Sequence, residues 1–209
     1  MKRCVIIGGA EIKDYEFSRR YLTEEDFVVY CDSGLKHEEL LGVSPDLIVG
    51  DFDSHENPNS SIETIVLPRI KDDTDTVFAV KEALSRGFEE FLLMGVVGAR
   101  LDHTICNVSL LVMLDEMGKK AKIIDDYSEM ELVSKNEAFV TGQWQYFSLL
   151  NITGEAEEIS VENAKYELQD AEIACEWQYG VSNEPLPGKT ASIRVGKGKL
   201  LLVRVRPGN

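Results

Sequence analysis

Over its first 125 or so residues the chain alternates short apolar runs with segments of helical period, and this alternation restricts its fold more than any other feature. Apolar runs fall at residues 4–7, 27–31, 47–49, 64–67, 91–95 and 121–124. Between them Val77, Val80 and Leu84 recur at helical spacing, as do Ile105, Val108, Leu111 and Val112. Short runs apolar on both faces, each followed by an amphipathic helix, predict a parallel sheet covered by helices. In such a sheet ligands bind beyond the carboxyl ends of the strands. Gly8-Gly9, Asp32, Asp51, Asp53 and residues 95–102 are expected to gather there.

The pattern changes from about Trp144. Ile173, Cys175, Trp177 and Tyr179 alternate with Glu172, Ala174, Glu176 and Gln178, which predicts a strand with one buried face. Ile193 and Val195, then Gly196-Lys197-Gly198, then Leu201, Val203 and Val205 predict a terminal hairpin. The expected architecture is an α/β domain with a parallel sheet over residues 1–125 and an antiparallel β-domain over 126–209, joined near Asp125-Asp126.

The formal charge of −15 argues against nucleic acid or an anionic membrane as the main partner, since a phosphate backbone attracts a basic face. No apolar run approaches the roughly 20 residues that a membrane-spanning helix requires. Gly8 and Gly9 interrupt the first apolar run too early for a signal peptide, so it reads as a strand. Cys4, Cys31, Cys106 and Cys175 are scattered, with no C-x-x-C pair, which predicts reduced cysteines in a cytoplasmic protein.

Five motifs carry candidate chemistry. Asp32-Ser33-Gly34 follows the second apolar run. Gly50-Asp51-Phe52-Asp53-Ser54 follows the third and presents two acids one residue apart, an arrangement suited to a hard cation such as Mg²⁺. Asx-turns explain the same residues without a ligand, and a phosphatase with a nucleophilic aspartate is a weaker competitor. Lys71-Asp72-Asp73-Thr74-Asp75 precedes a helix that Asp73 or Thr74 would cap, while Lys71 beside a helix start attracts phosphate. Gly95 to His103 forms a glycine-containing loop in which Arg100 is placed to grip phosphate, with Asp102 at the helix start. His103 and Asn107 lie one turn apart on one helix face. His37 and His55 lack any partner pattern and read as surface residues, and Gly180-Val181-Ser182-Asn183-Glu184-Pro185 reads as a polar turn.

Taken together and in this order, these motifs resemble those of the thiamine pyrophosphokinases of the bacterial type: Asp32-Ser33-Gly34, Pro45-Asp46 before Gly50-Asp51-Phe52-Asp53-Ser54, Lys71-Asp72-x-Thr74-Asp75, Gly98-x-Arg100-x-Asp102-His103-x-x-x-Asn107 and Val181-Ser182-Asn183-Glu184. The resemblance implies transfer of pyrophosphate from ATP to thiamine, with Mg²⁺. It further implies a C-terminal β-sandwich and a homodimer with thiamine near the subunit interface. Carried over, it makes Asp51, Asp53, Asp75 and Asp102 metal ligands and catalytic groups together with Arg100. Asp32, Lys71, Asp72, Thr74, Arg100, His103 and Asn107 fall on the nucleotide side, and Ser182 and Asn183 on the thiamine. The chain departs from the family where Asp-Gly-Gly becomes Asp32-Ser33-Gly34, and where Pro185-Leu186-Pro187-Gly188 replaces the aromatic that some members place after Ser-Asn. Trp177 or Tyr179 is then the candidate to stack on thiamine. A pterin diphosphokinase, a metal-dependent phosphatase and a non-catalytic nucleotide-binding module are the rival readings.

Overall fold

The strands predicted in the first 125 residues all form, and each supplies a loop at one edge of a single sheet. The computed structural model describes residues 3–52, 61–68 and 72–208, and it resolves into two units, Met1–Asp126 and Tyr127–Asn209. In chain order the first unit contains β1 (Arg3–Ile7), α1 (Tyr15–Arg19), β2 (Phe27–Cys31), a 3-10 helix (Asp32–His37), α2 (Glu38–Leu41), β3 (Leu47–Gly50), β4 (Glu63–Val66), α3 (Asp75–Ser85), β5 (Glu90–Met94), α4 (Leu101–Glu116) and β6 (Lys120–Ile124). The strands lie in the order β4-β3-β2-β1-β5-β6, all parallel. The order runs outward in both directions from β1, so the switch point lies between β1 and β5.

Burial explains why these runs become strands. Residues 4–7 of β1 and 91–94 of β5 are at most 1 % exposed, as expected for central parallel strands covered on both faces. Val5, Ile7, Val28, Tyr30, Leu92 and Met94 form one core cluster with Leu41 and Ile124. Asp46 fixes the start of β3 by accepting from the Val28 amide at 2.8 Å, which accounts for an acid beside Pro45 without any ligand.

Helix α4 departs from its predicted packing. Asn107, Leu110, Leu111 and Leu114 are its buried residues, whereas Ile105, expected to face the sheet, is 62 % exposed. The apolar residues of this helix run around more of its circumference than one stripe, so spacing alone could not select the buried side.

The second unit contains β7 (Ser128–Val133), β8 (Ala138–Val140), β9 (Tyr146–Leu150), β10 (Ala156–Glu162), β11 (Leu168–Ala171), β12 (Ala191–Gly198) and β13 (Leu200–Val205). They make two antiparallel groups, β7-β13-β9 and β11-β10-β12-β8. Ile159, Val161 and Ile193 of one and Phe147, Leu149 and Leu202 of the other are nearly inaccessible, as in a sandwich with buried inner faces. Arg204 of β13 bonds Glu129 and Glu131 of β7 at 2.7 and 2.5 Å and donates to the Phe139 carbonyl of β8 at 3.0 Å, so one guanidinium ties both groups.

Two predictions for this unit fail. The expected terminal hairpin is instead a corner: β12 pairs with β10 and β8, while β13 pairs with β7 and β9. Gly198 makes the corner possible, with φ +79° and a backbone so close to Glu155 that a Cβ would lie 1.9 Å from its carbonyl oxygen. The alternation at 173–179 is not a strand. Ile173 is buried, but Trp177 is 72 % exposed and its amide closes a tight turn onto the Ala174 carbonyl at 3.1 Å. Asn151 and Gln178 hold this loop: Asn151 Nδ2 donates to the Ile173 carbonyl at 2.6 Å, and Gln178 Nε2 to the Asn151 carbonyl at 2.7 Å. Side-chain bonds thus replace the ladder that the period-two pattern predicts. Cys4 and Cys31 are buried, and burial raises the thiol pKa of Cys4 to about 12, whereas Cys175 is exposed.

Candidate active site

The aspartates of the sequence motifs lie at strand ends and at a helix start. Asp32 directly follows β2, Asp51 follows β3, and Asp75 is the first residue of α3. The sheet edge brings these three acids together, with one carboxylate oxygen from each lying within 4.8 Å of the others. The Oδ1 atoms of Asp32 and Asp75 are withdrawn from solvent. Three carboxylates at this spacing make a hard-oxygen donor set that fits a divalent cation such as Mg²⁺.

The local backbone is shaped for this convergence. Asp32 has φ 38° and Phe52, next to Asp51, has φ 52°, both in the left-handed region that non-glycine residues seldom occupy. Such strain persists only where surrounding structure imposes it, and it concentrates at functional sites. Gly50 lets the two loops approach, since a Cβ there would lie 3.0 Å from that of Asp32. Gly34 packs against β1 so closely that a Cβ would lie 2.3 Å from the Ile7 carbonyl oxygen. Thr74 caps α3 by accepting from the Val77 amide at 3.3 Å, so Asp75 lies in the first turn, at the positive end of the helix dipole. Asp73 instead pairs with Lys81 at 2.6 Å, and Asp72 is exposed.

Across the switch point, the loops after β1 and β5 are bonded to each other. The Gly8 amide donates to the Met94 carbonyl and the Ala10 amide to the Gly95 carbonyl, both at 2.8 Å. Asn107 Nδ2 donates to the Val96 carbonyl at 2.8 Å, so this buried amide anchors the β5–α4 loop. The loop carries Arg100, which forms a two-pronged pair with Asp102 at 3.0 and 2.6 Å. Both side chains are about two-thirds exposed, and Arg100 holds the Asp102 carboxyl well below the usual carboxylate range. His103 is exposed beside them.

The predicted set is thus distributed. Among the described residues Asp51 and Asp75 converge, joined by Asp32, which the resemblance had placed on the nucleotide side. Asp102 pairs with Arg100 on the β5–α4 side. Asp53 and Lys71, like His55, lie outside the described residues.

In the second unit Ser182 is exposed with φ 58°, and its amide donates to Ser148 Oγ at 3.0 Å. Asn183 is buried. Its Nδ2 donates to the Tyr166 carbonyl at 2.7 Å and its Oδ1 accepts from the Tyr166 and Glu184 amides at 3.0 and 2.9 Å. Asn183 therefore shapes the segment and holds Tyr166, whose ring is exposed. Trp177 and Tyr179 are exposed as well. Nothing in the sequence pointed to Tyr166, because its link to Asn183 spans 17 positions.

His37 is the residue that sequence reasoning misplaced. It is 2 % exposed, with Nε2 2.8 Å from the Ala10 carbonyl and Nδ1 2.7 Å from the Tyr15 hydroxyl. Burial lowers its pKa, so the ring is neutral at physiological pH.

A doubly wound sheet with three aspartates converging at its carboxyl edge and a glycine loop at its switch point places the first unit in the class of open α/β folds whose strand ends face a ligand crevice, here carrying a separate antiparallel unit. The family model described as thiamin pyrophosphokinase, catalytic domain, matches residues 18–124, and that described as thiamin pyrophosphokinase, vitamin B1 binding domain, matches 131–200. The chain belongs to the thiamin pyrophosphokinase family. A thiamine pyrophosphokinase of Bacillus subtilis is 25 % identical over 212 residues, spanning 98 % of this chain and 99 % of that one. The fold is shared with the crystal structure of thiamine pyrophosphokinase from Bacillus subtilis, at TM-score 0.86 and 22 % identity over the full length of both chains. It is shared also with the thiamin pyrophosphokinase of Candida albicans, at TM-score 0.77 and 15 % identity over 99 % of this chain and 89 % of that one.

Proposed function

We propose that the chain transfers the pyrophosphoryl group of ATP to the hydroxyl of thiamine, giving thiamine diphosphate and AMP. The observation that carries this reading is the convergence of Asp32, Asp51 and Asp75 at the carboxyl edge of the sheet, in a chain matched by both the catalytic and the vitamin B1 binding models of the family.

Asp32, Asp51 and Asp75 would hold Mg²⁺, with Asp53 and Asp102 as the further acids that the resemblance assigns to it. The cation supplies charge screening and alignment of the phosphate oxygens. What this chain's own residues contribute is position and a proton acceptor. Arg100, on a loop pinned by Asn107, faces solvent and is free to exchange Asp102 for phosphate oxygens, where its charge would stabilise the transferring group. The alcohol must lose a proton as its oxygen bonds to the β-phosphorus. Asp75 and Asp102 are the candidates for this acceptor, Asp102 becoming available only once Arg100 has turned to the phosphates. Lys71, Asp72, Thr74 and His103 complete the proposed nucleotide side.

Thiamine is assigned to the Tyr127–Asn209 unit, at Ser182 and the aromatics near it. Tyr166 joins Trp177 and Tyr179 as a candidate to stack on the ring, since Asn183 grips its backbone. We further propose a homodimer with thiamine near its interface, supported by the exposed Leu101 and Ile105 on α4, which a second copy would cover. The free thiols of Cys4 and Cys31 suit the cytoplasm. No helix among the described residues is long and apolar enough to cross a membrane.

The test is incubation with ATP, Mg²⁺ and thiamine, resolving products by chromatography. Equal amounts of AMP and thiamine diphosphate, dependent on thiamine and metal, are expected. ADP with thiamine monophosphate, or phosphate release without acceptor, would overturn the reading.

A further inference from the structure

His37 takes no part in the chemistry above, yet it is built into the loops that flank the switch point. The Ala10 carbonyl can only accept a hydrogen bond, so the ring nitrogen 2.8 Å from it, Nε2, carries the proton. In the neutral ring Nδ1 is then an acceptor, and the Tyr15 hydroxyl 2.7 Å away donates to it. A directed relay thus runs from Tyr15 on α1, through His37 at the end of the 3-10 helix that begins with Asp32, to Ala10 in the loop after β1.

Ala10 is where three elements meet. Its amide donates to the Gly95 carbonyl at 2.8 Å, and a Cβ at Gly98 would lie 2.9 Å from its own Cβ, so the loop bearing Arg100 rests on it. The preceding Gly9 carbonyl accepts from Lys36 Nζ at 2.5 Å, and Gly9 lies so close to Ser33 that a Cβ would overlap Ser33 Oγ. Adjacent side chains of one short helix therefore fix the direction of two consecutive carbonyls in the glycine loop. The carbonyl that His37 holds belongs to the same peptide segment that braces the β5–α4 loop.

We propose that His37 is a positioning residue for the nucleotide: by holding the Ala10 carbonyl in one direction it sets the glycine loop and, through Gly95 and Gly98, the loop that presents Arg100. This inference rests on the assignment of ATP to the first unit. It differs from an ordinary core histidine in what its loss should change.

The experiment compares His37→Ala, His37→Gln and Tyr15→Phe with the unaltered full chain. Glutamine places a donor near the position of Nε2, so it restores the Ala10 bond without the ring. One hydrogen bond of this kind changes affinity by roughly tenfold. His37→Ala should therefore raise the KM for ATP roughly tenfold while the KM for thiamine stays within about twofold, and His37→Gln should recover most of the loss. Hydrogen exchange, followed without any nucleotide, should quicken in segments 8–14 and 95–100 of His37→Ala and slow again in His37→Gln. If His37→Ala does not fold, Tyr15→Phe carries the test, with a smaller rise in the KM for ATP and faster exchange in the same segments. A fall in melting temperature with unchanged KM for ATP and unchanged loop exchange would overturn the proposal. Should the unaltered chain form no AMP, the assigned activity fails, while the exchange comparison still decides whether His37 sets these loops.

Discussion

In the proposed reaction Asp75 and Arg100 would divide the work of the site, and their removal should read differently. Asp75→Asn keeps the size and the helix start but removes one of the proposed cation ligands and a candidate proton acceptor. It is expected to lower kcat by about 10²–10⁴ with the circular dichroism spectrum unchanged. Arg100→Ala should lower kcat/KM for ATP by about 10²–10³, because a preorganised charge is lost. Since Asp102 owes its acidity first to the hydrogen bond from Arg100, the same substitution should raise the Asp102 pKa, which carboxylate NMR titration would show. His37 makes a prediction about pH. Its folded pKa is lowered, so the unfolded chain binds the proton more readily, and its contribution to stability is full above about pH 6.5 and declines as pH falls below that value. Lys36 adds to the lowering and the Ala10 carbonyl opposes it, while Glu11 and Asp126 bear on the adjoining Tyr15. Urea midpoints between pH 7 and 5 should fall more for the unaltered chain than for His37→Gln. Single residues were legible in the sequence where a motif marks the end of a strand or the start of a helix, as for Asp51 and Asp75. They were illegible where the partner is remote: His37 meets Tyr15 and Ala10 across 22 and 27 positions, and Asp32 joins the acids only once the sheet sets β2 beside β3.

At the scale of elements, the parallel strands could be read because β1, β2, β3 and β5 are apolar on both faces and β4 and β6 keep a short apolar run, a pattern that survives any error in register. β1 to β6 therefore emerged within a residue or two of their expected bounds. The antiparallel unit was harder, because its strands are defined by partners that the sequence does not identify. Residues 191–205 contain two apolar stretches around glycines whether they fold back on each other or separate into different sheets, and the corner is marked by the close packing of Gly198 against Glu155, which lies 43 positions away in sequence. The loop at 173–179 alternates by composition while Asn151 and Gln178 organise it. A buried charge network is equally invisible in a pattern of apolar residues. Arg204 and Glu129 are 5 % and 6 % exposed, so Arg204→Ala should leave an uncompensated carboxylate and cost about 3–5 kcal/mol in urea unfolding. The double substitution Arg204→Met with Glu129→Leu should recover most of that loss.

For the molecule as a whole, charge sets the approach of substrate. A chain of net charge −15 attracts cationic thiamine, so kcat/KM for thiamine should fall as ionic strength rises from 0.02 to 0.5 M on the order of several-fold, while kcat is nearly constant. Light scattering should give twice the chain mass of 23.4 kDa if the proposed dimer forms. One feature of the antiparallel unit bears on how the protein is dismantled. β12 and β13 are joined through Lys199 alone, and each lies in the interior of its own group of strands, β12 between β10 and β8, β13 between β7 and β9. A processive unfoldase pulling on the C-terminal end would first extract an interior strand of one layer and, one residue later, load an interior strand of the other. Such a pull is expected to break both layers in close succession, after which neither retains a middle. Degradation from that end should proceed without a trapped, half-digested fragment of this unit.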